Sequence, residues 1–139
     1  MKTLLIACGN PLRGDDGAAL AVVTMLRGGA GASACLIQLT PELAPDIAPY
    51  DRVLFLDADA SATIPQIEPI AAAPSAPTLS HASSPVEIVH LARALFKFRG
   101  KAYICRIPAR DFSPREGLSP ECLSAARQTC VIIERGAFS

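Results

Sequence analysis

Charge is scarce in this 139-residue chain, and what there is cancels. Only 19% of the residues are Asp, Glu, Lys or Arg, against about 25% in an average globular domain. Thirteen basic residues balance thirteen acidic ones, so no global field draws in nucleic acid or an anionic membrane surface. With half the residues hydrophobic, the chain also lacks the low hydrophobicity and high net charge of a disordered protein. Long apolar runs are missing: Thr3-Leu4-Leu5-Ile6-Ala7-Cys8 is stopped by Gly9-Asn10-Pro11, far short of the ~18–20 apolar residues that a membrane span needs. The same stop comes too early for the core of a secretory signal. Closely spaced cysteine pairs are absent too. The five cysteines, at positions 8, 35, 105, 122 and 130, show no zinc or redox spacing, which fits reduced, mostly buried thiols in a cytoplasmic protein. Histidine appears only twice, and tryptophan not at all.

Against these shortages stand twelve prolines, which should fall at element boundaries because Pro lacks an N–H. Short apolar runs bounded by turn residues alternate with stretches of helical period, the mark of β-α-β units around a mostly parallel sheet. Strands are expected at Thr3–Cys8, about Ala34–Leu39, Arg52–Leu56 and Ala102–Ile107. The third is apolar without a break, as a central strand buried on both faces should be. Helices are expected from Gly17 to Arg27, in a short turn from Pro41 to before Pro49, from Ser84 to about Lys97, and from Ser119 to about Glu134. Ser84-Pro85-Val86-Glu87 is a strong helix start, with a Ser cap, Pro at the first helical position and Glu three residues after the cap. Gly28-Gly29 should stop the first helix. Ile64–Ile70 reads as an edge strand, since its prolines forbid a central place, and Ala71–Ser80 as a long loop. Ala18, Val22, Met25 and Leu26 should face the core from the first helix, and Ile88, Leu91, Ala92 and Leu95 from the third. The expected fold is of the α/β class, in a single domain over 1–139. Its five-stranded twisted sheet is mostly parallel, with an edge strand open to antiparallel pairing.

The chemistry concentrates in Gly9-Asn10-Pro11-Leu12-Arg13-Gly14-Asp15-Asp16-Gly17, between the first strand and helix. Gly9 and Gly14 have the spacing of a phosphate-binding loop, but Asp15 and Asp16 stand where that loop needs Lys and Ser or Thr. Two carboxylates repel phosphate, so a loop of this kind would bind a cation. One Asp is enough to cap the helix, which leaves the second for another role. Asp57 follows the third strand, and the carboxyl ends of parallel strands are where open α/β sheets place ligands. A carboxylate after a buried apolar strand is costly to desolvate unless something pairs with it. His90 falls on a helix face with Glu87, Arg93 and Lys97 and reads as solvated. His81 lies just before the Ser84 cap, near the same sheet edge as Asp16 and Asp57. Two carboxylates and an imidazole suit a borderline divalent metal such as nickel or zinc, with positions left open for water or substrate. No Ser-His-Asp set or nucleophile elbow competes.

The first motif closely resembles the amino-terminal signature of the hydrogenase maturation proteases, which trim the large subunit of nickel–iron hydrogenases. The resemblance continues through Gln38-Leu39-Thr40-Pro41-Glu42-Leu43, Asp51–Asp57 with Ala58, Leu79-Ser80-His81 and Gly117-Leu118-Ser119-Pro120. It spans nearly the whole chain, though the stretch from Ala60 to Leu79 carries no signature. It implies a three-layer α/β/α fold and a set of metal-contacting residues matching Asp16, Asp57 and His81. The acidic position of the first motif may be Glu in that family, and here it is the shorter Asp16. Some members carry a glycine-rich segment where this chain has Leu39-Thr40-Pro41-Glu42, and some have a longer carboxy-terminal region.

The resemblance implies an endopeptidase that removes the C-terminal extension of a hydrogenase large-subunit precursor after nickel insertion. The nickel is presented by the substrate and should bind the free protein only weakly. Asp16, Asp57 and His81 are then the catalytic and metal-contacting residues, with Asp15 or Asp16 assisting proton transfer. Asn10, Asp15 and Thr40 are expected to touch substrate, and the protein is expected to be a monomer. Two other readings carry the same acids: a nickel-sensing chaperone that binds the precursor without cutting it, and a phosphoacceptor receiver domain. The receiver is disfavoured because its acids follow the first strand directly, and because Ile107-Pro108-Ala109-Arg110 stands where it needs Lys.

Overall fold

The computed structural model describes residues 2–26, 32–71 and 84–136. Its chain order is β1 (Thr3–Cys8), α1 (Ala18–Met25), β2 (Ala32–Leu36), α2 (Leu43–Ile47), β3 (Arg52–Asp59), β4 (Gln66–Pro69), α3 (Pro85–Leu95), β5 (Lys101–Pro108) and α4 (Pro120–Glu134), with a 3-10 turn at Gly14–Gly17 before α1. The five strands form one sheet in the order β2-β1-β3-β5-β4. All neighbours are parallel except the β4–β5 pair at one edge. This is the expected α/β/α fold with an antiparallel edge strand. Pro69 ends β4, where a missing N–H is tolerated.

Strand alternation builds the two cores. Leu5, Ala7, Leu54 and Leu56 pack with α1 and α4 on one face. Leu4, Ile6, Val53 and Phe55 pack with α2 and α3 on the other. Leu54, Phe55 and Leu56 are almost wholly buried, and each such side chain contributes about 1.5–3 kcal/mol on leaving water. The two longest helices start as expected on Ser caps followed by Pro: Ser84 Oγ accepts from Glu87 N, and Ser119 Oγ from Cys122 N.

Some expectations need correction. β3 does not end at Leu56 but runs to Asp59, because β5 continues beside it, pairing Asp57 with Arg106 and Asp59 with Pro108. β2 begins two residues and ends three residues earlier than expected; after Leu36, whose carbonyl accepts from Gly9 N, the chain leaves the sheet and buries Leu39 on the α2–α3 side. The inward face of α3 is Ile88, Val89 and Ala92, while Leu95 is 67% exposed in its last turn. Met25 is likewise exposed at the end of α1, where Ala19 and Val23 are buried in its place. The Gly28-Gly29 stop and the Ala71–Ser80 loop beyond its first residue lie outside the described residues.

The chain leaves β1 for β2 on one side and then crosses to β3 on the other. The carboxyl ends of β1 and β3 therefore flank the point where winding reverses, which opens a crevice in sheets of this type. In register there stand Cys8 and Asp57.

Candidate active site

The loop from Gly9 to Gly17 carries Asp16 to that crevice, and glycine makes its path possible. Gly9 has φ +146, and a Cβ on it would lie 2.0 Å from the Asp16 carbonyl oxygen. Gly14 has φ +54, and its Cβ would lie 2.5 Å from the Asp111 carbonyl oxygen. Neither position accepts a side chain. Asn10 Oδ1 accepts from Leu12 N at 3.0 Å, an Asx turn, and Arg13 N donates to Asn10 O at 3.0 Å. Asn10, expected to touch substrate, is thus engaged in shaping the loop, with Leu12 and Arg13 exposed at its tip.

Neighbouring Asp15 and Asp16 separate completely. Asp15 is 0% exposed. Its Oδ2 accepts from Arg110 N at 2.8 Å, Asp111 N at 2.9 Å and Ser119 Oγ at 2.7 Å, and its Oδ1 from Ser119 N at 2.6 Å. Burial acts to raise the Asp15 pKa, but the Ser119, Asp111 and Arg110 N–H groups and the Ser119 hydroxyl outweigh it and hold the carboxyl below its ordinary value. Asp15 braces the motif against the segment before α4, and its backbone N donates to Asp111 O at 2.7 Å. No Asp side chain caps the 3-10 turn or α1. With both oxygens occupied inside the protein, Asp15 presents nothing to a ligand.

Asp16 is half-buried, and its Oδ2 accepts from Asn10 N at 2.7 Å. Its charge reaches Asp57. The Asp57 pKa is pushed up to about 6, first by desolvation and then by the Asp16 carboxylate, against an opposing N–H of Ala58. Asp57 is nonetheless an exposed residue, so this desolvation is that of a strand end at the surface and not of a core. Cys8, between the two acids, is driven up to about 11 by burial and by the charges of Asp57 and Asp16. It stays a thiol at neutral pH and is no nucleophile.

Arg106 and Asp59, which no sequence signal marked as a pair, complete the rim. Arg106 is the register partner of Asp57 on β5. Its guanidinium lies 3.7 Å from Asp59 and 3.0 Å from Glu68, so its charge is shared with two other acids. Asp59 also accepts from Ser61 N and Oγ at 2.8 and 2.6 Å, capping the turn after β3. Thr40 is half-buried, and its carbonyl accepts from Leu43 N at the start of α2. His90 is exposed on α3, as expected. His81 lies outside the described residues, and among those described no three acidic, Cys or His side chains form a metal-binding group. The structure therefore brings together Asp16 and Asp57, two of the three expected ligands.

No protein-family model and no curated protein matches the chain. Solved structures do. The [NiFe] hydrogenase maturation protease HybD from Thermococcus kodakarensis superposes with a TM-score of 0.70 at 20% identity, covering 99% of both chains. The hydrogenase maturating endopeptidase HybD from E. coli gives 0.68 at 18% identity, over 98% of this chain and 91% of that one. The [NiFe] hydrogenase maturation protease HycI from Thermococcus kodakarensis gives 0.71 at 17% identity, over 96% and 90%. The chain has the fold of these proteases along nearly its whole length.

Proposed function

We propose that the protein is an endopeptidase that removes the C-terminal extension of a nickel–iron hydrogenase large-subunit precursor. The observation that carries this reading is the coupled carboxylate pair, Asp16 and Asp57, at the reversal point of a sheet built like those of the maturation proteases. A carboxylate whose proton affinity is raised by a neighbouring acid is relieved by a divalent cation set beside it. Asp16 spends Oδ2 on Asn10 N and keeps its other oxygen for such an ion. Asp57 keeps an outer side open to solvent. With His81 as the third donor, the set is two oxygens and one nitrogen, suited to nickel.

The nickel belongs to the substrate. A precursor that already holds the metal presents it to Asp16, Asp57 and His81, and its arrival is the signal that the large subunit is ready to be trimmed. A three-donor set with a shared ion implies weak affinity for free nickel. Asp57 has the second role: beside the shared ion its carboxylate stays ionised and orients the attacking water toward the scissile bond. Asp15 takes no part in proton transfer, because its oxygens are occupied in the interior.

The deciding measurement is the intact mass of a nickel-loaded large-subunit precursor before and after incubation with the protein. The expected result is loss of a C-terminal segment with wild type and none with Asp16→Ala or His81→Ala. Binding with no change of mass would identify a nickel-sensing chaperone instead, and unimpaired cleavage by either variant would remove that residue from the site.

A further inference from the structure

At the opposite end of the sheet, where β3 and β5 begin, lies a cavity of about 350 Å3 between the segment after α2 and the turn joining α3 to β5. Four of its lining side chains are cationic: Arg52, Lys97, Arg99 and Lys101. The single acid there is Asp51, whose Oδ2 already accepts from Lys2 N at 2.7 Å. Among the described residues, no carboxylate lies within ion-pair distance of Lys97, Arg99 or Lys101. Elsewhere the exposed cations are either paired, as Arg106 is with Asp59 and Glu68 and Arg115 with Asp111, or stand apart from one another, as Arg13 and Arg127 do. In a chain of zero net charge, this is a local concentration of positive charge around a concavity, which focuses the field on an anion.

The backbone builds this wall and does not leave it to flexible side chains alone. Phe98 is 3% exposed and anchors the turn in the core, with its N–H on the Ala92 carbonyl. Its neighbours Lys97 and Arg99 are thereby turned outward. Gly100 sits so close to the 50–51 backbone that a Cβ would lie 2.5 Å from the Asp51 carbonyl oxygen. Lys97 is the one non-glycine residue among those described with positive φ, at +60. That left-handed position ends α3: the Phe98 N–H returns to the Ala92 carbonyl, the usual closure of a helix, and it fixes the direction in which the Lys97 side chain leaves the backbone. Tyr50 adds an aromatic wall.

We infer that this cavity is a binding site for a small multivalent oxyanion, a phosphorylated or polycarboxylated metabolite, separate from the Asp16–Asp57 crevice. Its volume falls at the lower end for small-molecule pockets, and its cations match phosphate or carboxylate oxygens. The site does not depend on the peptidase reading.

The test is a 1H–15N NMR titration of the full chain with pyrophosphate and, separately, with citrate, at constant ionic strength. Saturable shifts confined to the amides of residues 48–52 and 97–101 are expected with at least one ligand. Response to pyrophosphate alone assigns a phosphorylated ligand, and response to citrate alone a polycarboxylate. Lys97→Gly, which suits the observed φ, and Arg99→Ala should each weaken binding about two- to fivefold, as loss of one partly exposed charge does. Arg127→Ala, a distant exposed cation on α4, should leave it unchanged. Shifts spread over the surface, no saturation below about 1 mM, or equal weakening by Arg127→Ala would overturn the assignment.

Discussion

Replacing Asp57 by Asn is expected to stabilise the folded protein at pH 7.5 while ending its proposed activity. The carboxyl ionises at about 6 in the folded state against an ordinary value of 3.8, because desolvation and the Asp16 charge disfavour its anion. A group whose folded pKa is raised binds protons more tightly folded than unfolded, so stability falls as pH rises between about 4 and 6. Above that window the full penalty remains. For a dry site it would approach about 3 kcal/mol, at 1.36 kcal/mol per unit of pKa. Asp57 has an outer side in water, however, and screening brings the expected gain down to roughly 1 kcal/mol. Urea unfolding of both proteins at pH 4 and pH 7.5 measures it, with a midpoint shift on the order of 0.5 M for a protein of this size. The variant should gain at pH 7.5 and clearly less at pH 4, where the wild-type carboxyl is protonated in the folded state and about half protonated in the unfolded one. A loss of stability at pH 7.5, or an equal gain at both pH values, would refute the account of this carboxylate. Such an exchange of stability for a poised group is expected at a functional site and not at a structural one.

The other carboxylate of the motif should behave in the opposite way. Asp15→Ala strips the acceptors from one buried and two partly buried N–H groups and a buried hydroxyl, a loss of about 3 kcal/mol in thermal or urea unfolding. Because the Asp15 pKa is lowered in the fold, the stability it supplies is present above its unfolded value near 3.9 and is lost as pH falls through the folded value; Asp15→Asn should be less acid-sensitive than wild type below about pH 4. Ser119→Ala removes both the cap of α4 and one bond to Asp15, and about 2 kcal/mol should be lost on urea unfolding. Gly9→Ala sets a methyl group against the Asp16 carbonyl; it should abolish precursor processing and lower the melting temperature by several degrees, about 2 kcal/mol. Equilibrium dialysis of the pure protein should recover little bound nickel, since the proposed ion arrives with the substrate; stoichiometric retention would argue for a resident metal.

Most of the fold was legible because its signals are local. Thr3–Cys8 and the two Ser-Pro helix starts carry their boundaries in their own residues, and the structure has them there. The end of β3 was not legible, since nothing in Leu56-Asp57-Ala58-Asp59 announces that β5 will run alongside as far as Pro108. The inward face of α3 was misjudged at Leu95 for the same reason: periodicity marks a stripe, but only the partner's extent decides where burial stops. Within the site, the association of Asp16 with Asp57 could be read from strand ends alone. The bracing of Asp15 by Ser119, across 104 positions, and the sharing of Arg106 between Asp59 and Glu68 are products of tertiary contact. The basic cavity was hidden for a different reason: its cations are spread between positions 52 and 101, and a zero total concealed them.

The two adjacent acids show how one dipeptide serves two ends. In a 3-10 turn, successive residues point about 120° apart, so within Gly14–Gly17 an inward Asp15 forces Asp16 outward. Each acid fixes the other's direction. The inward one is saturated by donors from the segment leading into α4, which locks the turn, while Asn10 N takes one oxygen of the outward one. What is left is a carboxylate with little freedom and one oxygen to offer, facing a second carboxylate whose proton affinity it has raised. Neither a helix-capping role nor a phosphate-binding loop calls for that arrangement: a cap needs one acid, and phosphate would be repelled by both. On the proposed function, a cation delivered with the substrate would meet a carboxylate already held in place, so the brace around Asp15 is as much a part of the proposed recognition of nickel as the ligands themselves.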